Sequence, residues 1–324
     1  MYKIISLDEI NNMNFNNDLK NKYTDYFAVK EIINPINNLN KAITVSFFCQ
    51  NVNNTYLNEF ESPDHTDENS EWYNKYYLNL LKLVNDKKTI LPEYKLRIYL
   101  ENQLAYLKDN LINEYTEIYL MKNNSVGANP GALWRFIAFD DKLLDIAFSI
   151  DIDDELINSV KYIEIFEKHD KTFGRFLGNC EDDIRIDKND DNSSLNYAVV
   201  MAGINGIRPK KSNISFIYYI VLFMLLIDRQ FNSDEKCRID DNEELTIYNK
   251  PFNNNSYCWG CNPFIYRFDE KVFKHIFFPY FAKKGEILTF TVTDIDKLNN
   301  LSNEQSYKID YDFVNYYNNL IKTI

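Results

Sequence analysis

No apolar run in this chain reaches the length of an ordinary membrane-spanning helix. The longest, ISFIYYIVLFMLLI at 214–227, falls short of the roughly 20 apolar residues that a bilayer requires. It reads as a buried helix, and no transmembrane segment is expected. The opening MYKIISLDEI lacks the charged-then-apolar shape of a secretory signal. Cysteine is sparse: Cys49, Cys180, Cys237, Cys258 and Cys261 form an odd, scattered set. Such a set suits a reducing compartment better than a disulfide scaffold, so a cytoplasmic protein is expected. Positive charge is also short. Lys and Arg number 36 against 48 Asp and Glu, a net charge of -12, which argues against non-specific nucleic-acid binding. It does not exclude phosphate-bearing ligands, because a divalent cation can bridge carboxylate to phosphate. Neither Gly-x-Gly-x-x-Gly nor a phosphate-loop motif occurs, and there is no internal repeat.

What is present is apolar mass. Hydrophobic residues make up 45% of the 324 and aromatics 15%, enough for a sizeable core and against global disorder. AITVSFFCQ (42–50) reads as a buried strand, YKLRIYLE (94–101) and TEIYLMK (116–122) as two more, and LLDIAFSI (143–150) as a fourth. Helical spacing separates them. In 71–88 the residues Tyr73, Tyr76, Tyr77, Leu80, Leu81 and Val84 share a face. QLAYLKDNLI and ALWRFIAFDD also read as helices. This alternation predicts a mostly parallel sheet with helices on both faces. Residues 1–41 read as a polar, irregular or partly helical lead-in. Beyond 157 the pattern loosens: a helix at INSVKYIEIFEKHD, an acidic loop at 181–196, YAVVMAGINGIRPKK as a strand entering a glycine turn, the helix 214–227, a polar loop at 232–244, a further helix after an aromatic-rich stretch, a late strand EILTFTVT, and a terminal helix.

The fourth strand ends on Asp151, Ile152, Asp153, Asp154 and Glu155. Crowded carboxylates repel unless a cation lies among them. Alternate side chains of an extended segment share a face, so Asp151 and Asp153 can reach one point, and a hard cation prefers such oxygens. The competing account is a solvated turn in which Asp153 or Asp154 caps the following helix. Ligands of open parallel sheets bind at the carboxyl ends of the strands, which is where this cluster falls.

GALWRFIAFDDKLLDIAFSIDIDDEL resembles the donor-site segment of GT-A-fold glycosyltransferases, especially bacterial and giant-virus members. VVMAGINGIRP is similar to their glycine-bearing strand-turn, and YRFDEKVFKHIFFPYFAKKGEILT to their later acidic pair opening a helix. The three blocks stand in the family's order across about residues 131–290. The resemblance implies an α/β, GT-A-like (Rossmann-like) mostly parallel sheet, with 42–157 as the nucleotide-sugar-binding half and 158–324 as the acceptor-side α+β half. It implies a sugar transferred from a UDP- or GDP-linked donor to a glycan, protein or small-molecule acceptor. Mn2+ or Mg2+ would be bound by Asp151 and Asp153, with Asp151 also touching the donor. Gln50, Arg135 and Gly203 are implied on the donor side, and Tyr257 and Trp259 as acceptor-stacking rings. Asp269 and Glu270 are implied in catalysis, as a base or as a clamp on the sugar. Where relatives carry two glycines and an aromatic, this chain has Ala202, Gly203, Ile204 and Asn205. The order of motifs resembles the retaining, glycogenin-like arrangement. A non-catalytic nucleotide- or glycan-binding protein of the same fold is the alternative.

Several residues read as structural. Trp134 suits the core, and His275 an amphipathic helix. His65 and His169 stand in polar contexts. Cys258-Trp-Gly-Cys261 has redox-motif spacing, but Asn262 and Pro263 follow it and a βαβ setting is missing.

Overall fold

The computed structural model describes residues 7–49, 68, 70, 72–125, 129–177, 204–232, 236–239, 245–248 and 268–291. All four expected strands form, as β2 (Lys41–Phe47), β3 (Lys95–Leu100), β4 (Thr116–Met121) and β5 (Ile146–Ser149). They are parallel to one another in the order β4-β3-β2-β5, the arrangement of a mononucleotide-binding half of a doubly wound sheet. The complete sheet has eight strands, β1-β4-β3-β2-β5-β7-β6-β10. Two strands run against the rest: β1 (Val29–Ile33) beside β4, and β7 (Asn205–Ile207) between β5 and β6 (Phe173–Leu177). β10 (Ile287–Thr291) closes the far edge parallel to β6. This is the mostly parallel α/β architecture that the resemblance implies.

Strand alternation divides the core in two. Ile43, Val45 and Phe47 of β2, with Leu96, Ile98 and Leu100 of β3, face one side with α3 (Leu78–Asp86) and α5 (Leu156–Lys168). Ala42, Tyr99, Met121 and Ala147 face the other. That second side is covered by α1 (Leu7–Asn11), α2 (Asn17–Asp25), a 3-10 helix at Gly131–Asp140 and α6 (Phe216–Asn232). A further helical run completes it: α7 (Phe268–Val272), a π-helical turn (Phe273–Phe277) and α8 (Phe278–Lys283). Phenylalanine dominates here. Phe216 lies 4.4 Å from Phe277 and Phe173 lies 5.0 Å from Phe281, centroid to centroid. The apolar stretch 214–227 is thus a buried helix, and among the described residues no helix is long and apolar enough to cross a membrane.

Several elements differ from the sequence expectation. The lead-in contributes two short helices and the edge strand β1, whose exposed Lys30 and Glu31 conceal it. The strand β6 was not anticipated. The segment expected to be a glycine turn is the strand β7, and the polar loop at 232–244 contains β8 (Lys236–Ile239), which pairs antiparallel with β9 (Leu245–Tyr248). The helix expected over 71–88 begins with a π-helical turn at Tyr73–Tyr77. The stretch QLAYLKDNLI forms a 3-10 helix (Asn102–Leu107) running into the short α4 (Lys108–Leu111), and ALWRFIAFDD is 3-10.

The carboxyl edge of the sheet is held by Glu101, a residue with no exposed surface, immediately after β3. Its Oε2 accepts the backbone N–H of Cys49 at 2.6 Å and the Gln103 amide at 3.0 Å, while its Oε1 accepts the backbone N–H of Ser125 at 2.5 Å. One carboxylate therefore ties together the loops that leave β2, β3 and β4. Ser125 Oγ in turn accepts the N–H of Gly131 at 3.1 Å, at the start of the 3-10 helix. Gly131 needs its hydrogen: a Cβ there would lie 2.3 Å from the Phe48 ring. Burial also pushes the Cys49 thiol well above its usual range, with the neighbouring Glu101 charge adding to the effect. That suits a packing role rather than a nucleophile.

Glu101→Gln keeps the shape but turns an amide NH2 towards backbone donors. It is expected to lower stability by about 2–4 kcal/mol, as orphaned buried N–H groups do. In urea denaturation the midpoint should fall with an unchanged slope. A loss below about 1 kcal/mol would mean that water replaces the carboxylate.

Candidate functional site

The site is built from the ends of β2 and β5, the 3-10 helix, and the first turn of α7. Arg135 is the centre. Its backbone N–H donates to Ser46 Oγ at 2.8 Å near the end of β2, which fixes the helix over the sheet. The side chain lies beneath the surface, with the residue only 6% exposed. Nη1 is hydrogen-bonded to Asp151 Oδ1 and lies 3.3 Å from the Ile150 carbonyl oxygen. Nη2 donates to Asp269 Oδ2 at 3.1 Å. A buried guanidinium is tolerable because two carboxylates meet its planar fork. Burial alone would lower its pKa, but the charges of Asp151 and then Asp269 outweigh that and leave it above its ordinary value.

Arg135, Asp151 and Asp269 are thus brought together, the last 134 positions from the arginine. Asp269 is itself buried at 8% exposure. The Asp153 side chain is 40% exposed and lies 3.6 Å from Lys75 Nζ, on the π-helical turn before α3. One further contact joins the same elements, between Lys82 of α3 and Glu155. The turn and the helix leave a shallow crevice between them, lined by Asn79, Lys82, Asp153, Asp154 and Glu155 among others. The helix-capping account of the acidic run does not hold among the described residues. The N-cap of α5 is Glu155, and its side chain makes no capping hydrogen bond.

Trp134 is core, as its composition suggests: it has no exposed surface, and its Nε1 donates to the Tyr26 carbonyl at 2.8 Å. His169 ends α5, and desolvation lowers its pKa. Gly206, from the expected glycine turn, stands in β7 where a Cβ would meet Phe148 at 2.7 Å, so it serves close packing. Gln50, Gly203, Tyr257, Trp259, His65 and the Cys258–Cys261 pair lie outside the described residues, as do the side chains of Glu270 and His275. Lys75, Glu101 and Ser46 are site or supporting residues that the sequence reading did not single out. Only Lys75 left a signal, since Lys75, Asn79 and Lys82 form a polar stripe along one helix face.

Among the described residues no group of three or more His, Cys, Asp or Glu is arranged to hold a metal ion. Asp151 and Asp153 stand in one partly exposed turn, the first hydrogen-bonded to Arg135 and the second 3.6 Å from Lys75.

No protein-family model matches the chain, and no curated protein matches it. Among solved structures, residues 1–349 of TarS from S. aureus align at 9% identity and a TM-score of 0.30, over 58% of this chain and 56% of that one. The 4-diphosphocytidyl-2C-methyl-D-erythritol synthase of Anaerococcus prevotii aligns at 10% identity and a TM-score of 0.35, over 87% of this chain and 95% of that one. Nothing about this chain's activity follows from either.

Asp154 supplies a pH test. Burial, and then the charges of Asp151 and Asp153, push its carboxyl up to about 6, against about 3.9 in an unfolded chain. A raised acid favours the folded state below pH 4, and that contribution is lost as pH rises through about 6. Asp154→Asn should therefore stabilise the metal-free protein at pH 7.5 by about 1–2 kcal/mol after allowing for solvent screening, and leave it unchanged at pH 4. Denaturation in EDTA at both pH values checks it. An equal effect at both would place the carboxylate in open solvent.

Proposed function

We propose that the protein is a metal-dependent glycosyltransferase that takes a sugar from a nucleoside-diphosphate donor. The observation that carries the reading is the Arg135 bridge. It joins Asp151, at the carboxyl end of a central parallel strand, to Asp269 of a distant helix, at the sheet edge where open α/β folds bind ligands. The resemblance of the three ordered blocks supplies the donor class, and Asp151 and Asp153 would hold the cation. A bound divalent ion would neutralise the diphosphate leaving group as the bond to the sugar breaks.

The chain's own residues would do the positioning. Arg135 sets the spacing between Asp151 and Asp269, and its guanidinium keeps these two carboxylates from repelling one another. In the reaction the C1–O bond to diphosphate breaks, a C1–O bond to the acceptor forms, and the acceptor hydroxyl gives its proton to a carboxylate base in an inverting enzyme or to the departing diphosphate in a retaining one. A general base needs an ionised carboxylate free to reach that hydroxyl. Asp269 is buried and tied to a guanidinium, which suits a carboxylate that holds the donor sugar better than one that accepts the proton. That favours retention, in line with the resemblance, with Glu270 beside it as a further candidate. The acceptor is a glycan, a protein or a small molecule.

Two measurements test the reading. Calorimetry with UDP and GDP should show binding in Mn2+ that is lost in EDTA, and Asp153→Asn should remove the metal dependence without lowering the melting temperature of the metal-free protein. Equal affinity with and without metal would sink the metal role. Asp269→Asn, with turnover followed by NMR of the product anomer, should weaken donor binding together with turnover. A fall in turnover of about 10²–10⁴-fold at unchanged donor affinity would instead make Asp269 the base of an inverting enzyme.

A further inference from the structure

Asp140 closes the 3-10 helix that carries Arg135, and its carboxylate reaches a helix far along the chain. Oδ1 accepts the backbone N–H of Phe216 at 2.7 Å. Oδ2 accepts that of Ile217 at 2.9 Å and the Ser215 hydroxyl at 2.7 Å. The two N–H groups are the first of α6, which no carbonyl within the helix can satisfy. Yet α6 already has a cap of its own, because Ser215 Oγ accepts the N–H of Tyr218 at 3.2 Å, as local caps do. The second cap comes from 75 residues away. Burial raises the Asp140 pKa above the ordinary carboxylate value, in spite of the hydrogen bonds from Ile217, Ser215 and Phe216 that favour its charged form. At neutral pH, holding the charge there costs stability rather than adding to it, so capping alone does not account for it.

What α6 touches gives the second cap a use. The ring of Phe216, its first residue, lies 4.4 Å from that of Phe277, and the ring of Phe223 lies 5.5 Å from that of Phe268, centroid to centroid. Phe268 immediately precedes Asp269, so α6 bears on the helical run 268–283 at two places, one of them beside the carboxylate that meets Arg135. Apolar contact is non-directional and leaves such a run free to slide, whereas hydrogen bonds to a carboxylate are short, strong and directional. Arg135 stands five residues before Asp140, roughly 10 Å along a 3-10 helix. One short element thus holds both the guanidinium that Asp269 has to reach and the carboxylate that fixes α6. We infer that Asp140 is a positioning residue of the candidate site: by holding the N-terminus of α6 it sets the helical run of Asp269 at bonding distance from Arg135. The inference rests on the glycosyltransferase reading for what the site does, and on the Arg135 bridge for how the site is assembled.

The test is a double-mutant cycle on the full chain, read as the urea midpoint. Asp269→Asn should lower the midpoint of the parent, because it strands one side of a buried guanidinium. In an Asp140→Asn background the same change should cost at most about half as much, since the pair is already displaced. In a Ser215→Ala background, which weakens the local cap of α6, it should cost the full amount. Should Asp140→Asn fail to fold, Asp140→Glu keeps the charge on a longer arm and takes its place in the cycle. An equal shift in every background, zero included, makes Asp140 an ordinary cap and overturns the role. Calorimetry with UDP and GDP in Mn2+ on the same variants keeps the two proposals apart. Where a nucleotide binds, its affinity should fall in Asp140→Asn as it does in Asp269→Asn, and stay within about twofold of the parent in Ser215→Ala. If the coupling is seen and no nucleotide binds the parent, the glycosyltransferase reading fails and the positioning role stands. If a nucleotide binds the parent and no coupling is seen, the positioning role falls and the reading stands.

Discussion

A guanidinium beneath the surface is the constraint around which this site is arranged. Taking one charge from water costs several kcal/mol, and Arg135 recovers that only while both carboxylates are in place. The requirement reaches outward. Asp151 has to stand at the end of β5, Asp269 has to open the helical run at 268–283, and the 3-10 helix has to lie flat on β2 with its N–H on Ser46. Breaking one side of the bridge leaves an uncompensated charge, which is worse than having no bridge. The two halves of the sheet are thereby locked at their carboxyl edge by electrostatics as well as by the phenylalanine layer beneath.

Glu101 plays the complementary part with the opposite sign. Among the described residues no cation pairs with it, and its charge is satisfied by N–H dipoles from loops that leave two different strands, with Gln103 adding a third donor. Hydrogen bonds to an ionised acceptor are about twice as strong as neutral ones. Dipoles of this kind also leave no net positive charge near the strand ends. The loops are fixed while the cationic part of the edge is left to Arg135, Lys75 and Lys82.

The fold was legible where burial is simple. β2 to β5 are short, apolar and β-branched or aromatic, and each was found from its own residues. β1 was hidden because an edge strand can be charged: Lys30 and Glu31 break any apolar pattern. β7 was hidden because Asn205-Gly206-Ile207 reads as a turn, and the glycine is explained by the Phe148 and Phe166 rings that press on it. Of the site, Asp151, Asp153, Arg135 and Asp269 were named from local pattern and resemblance. That Arg135 bridges two of them is a fact about packing, and no spacing in the chain encodes it. Glu101 carried no signal, since an acid after a strand looks like any surface residue until its surroundings are known.

The strand order also bears on how a growing chain acquires its site. β1 to β5 pair in one continuous block, complete in the chain by residue 149, and only the outer edge of β5 waits for a later strand, β7. β6 has β7 and β10 as its neighbours, and β10 is not complete until residue 291. A ribosome therefore releases half a sheet, with Arg135 and Asp151 already able to meet, well before Asp269 exists. During that interval the guanidinium has one carboxylate instead of two, and the face that α6 and the later helices will cover is bare. The second half completes an unfinished charge balance as it closes the sheet, so the strands that finish the sheet arrive together with the carboxylate that finishes the candidate site.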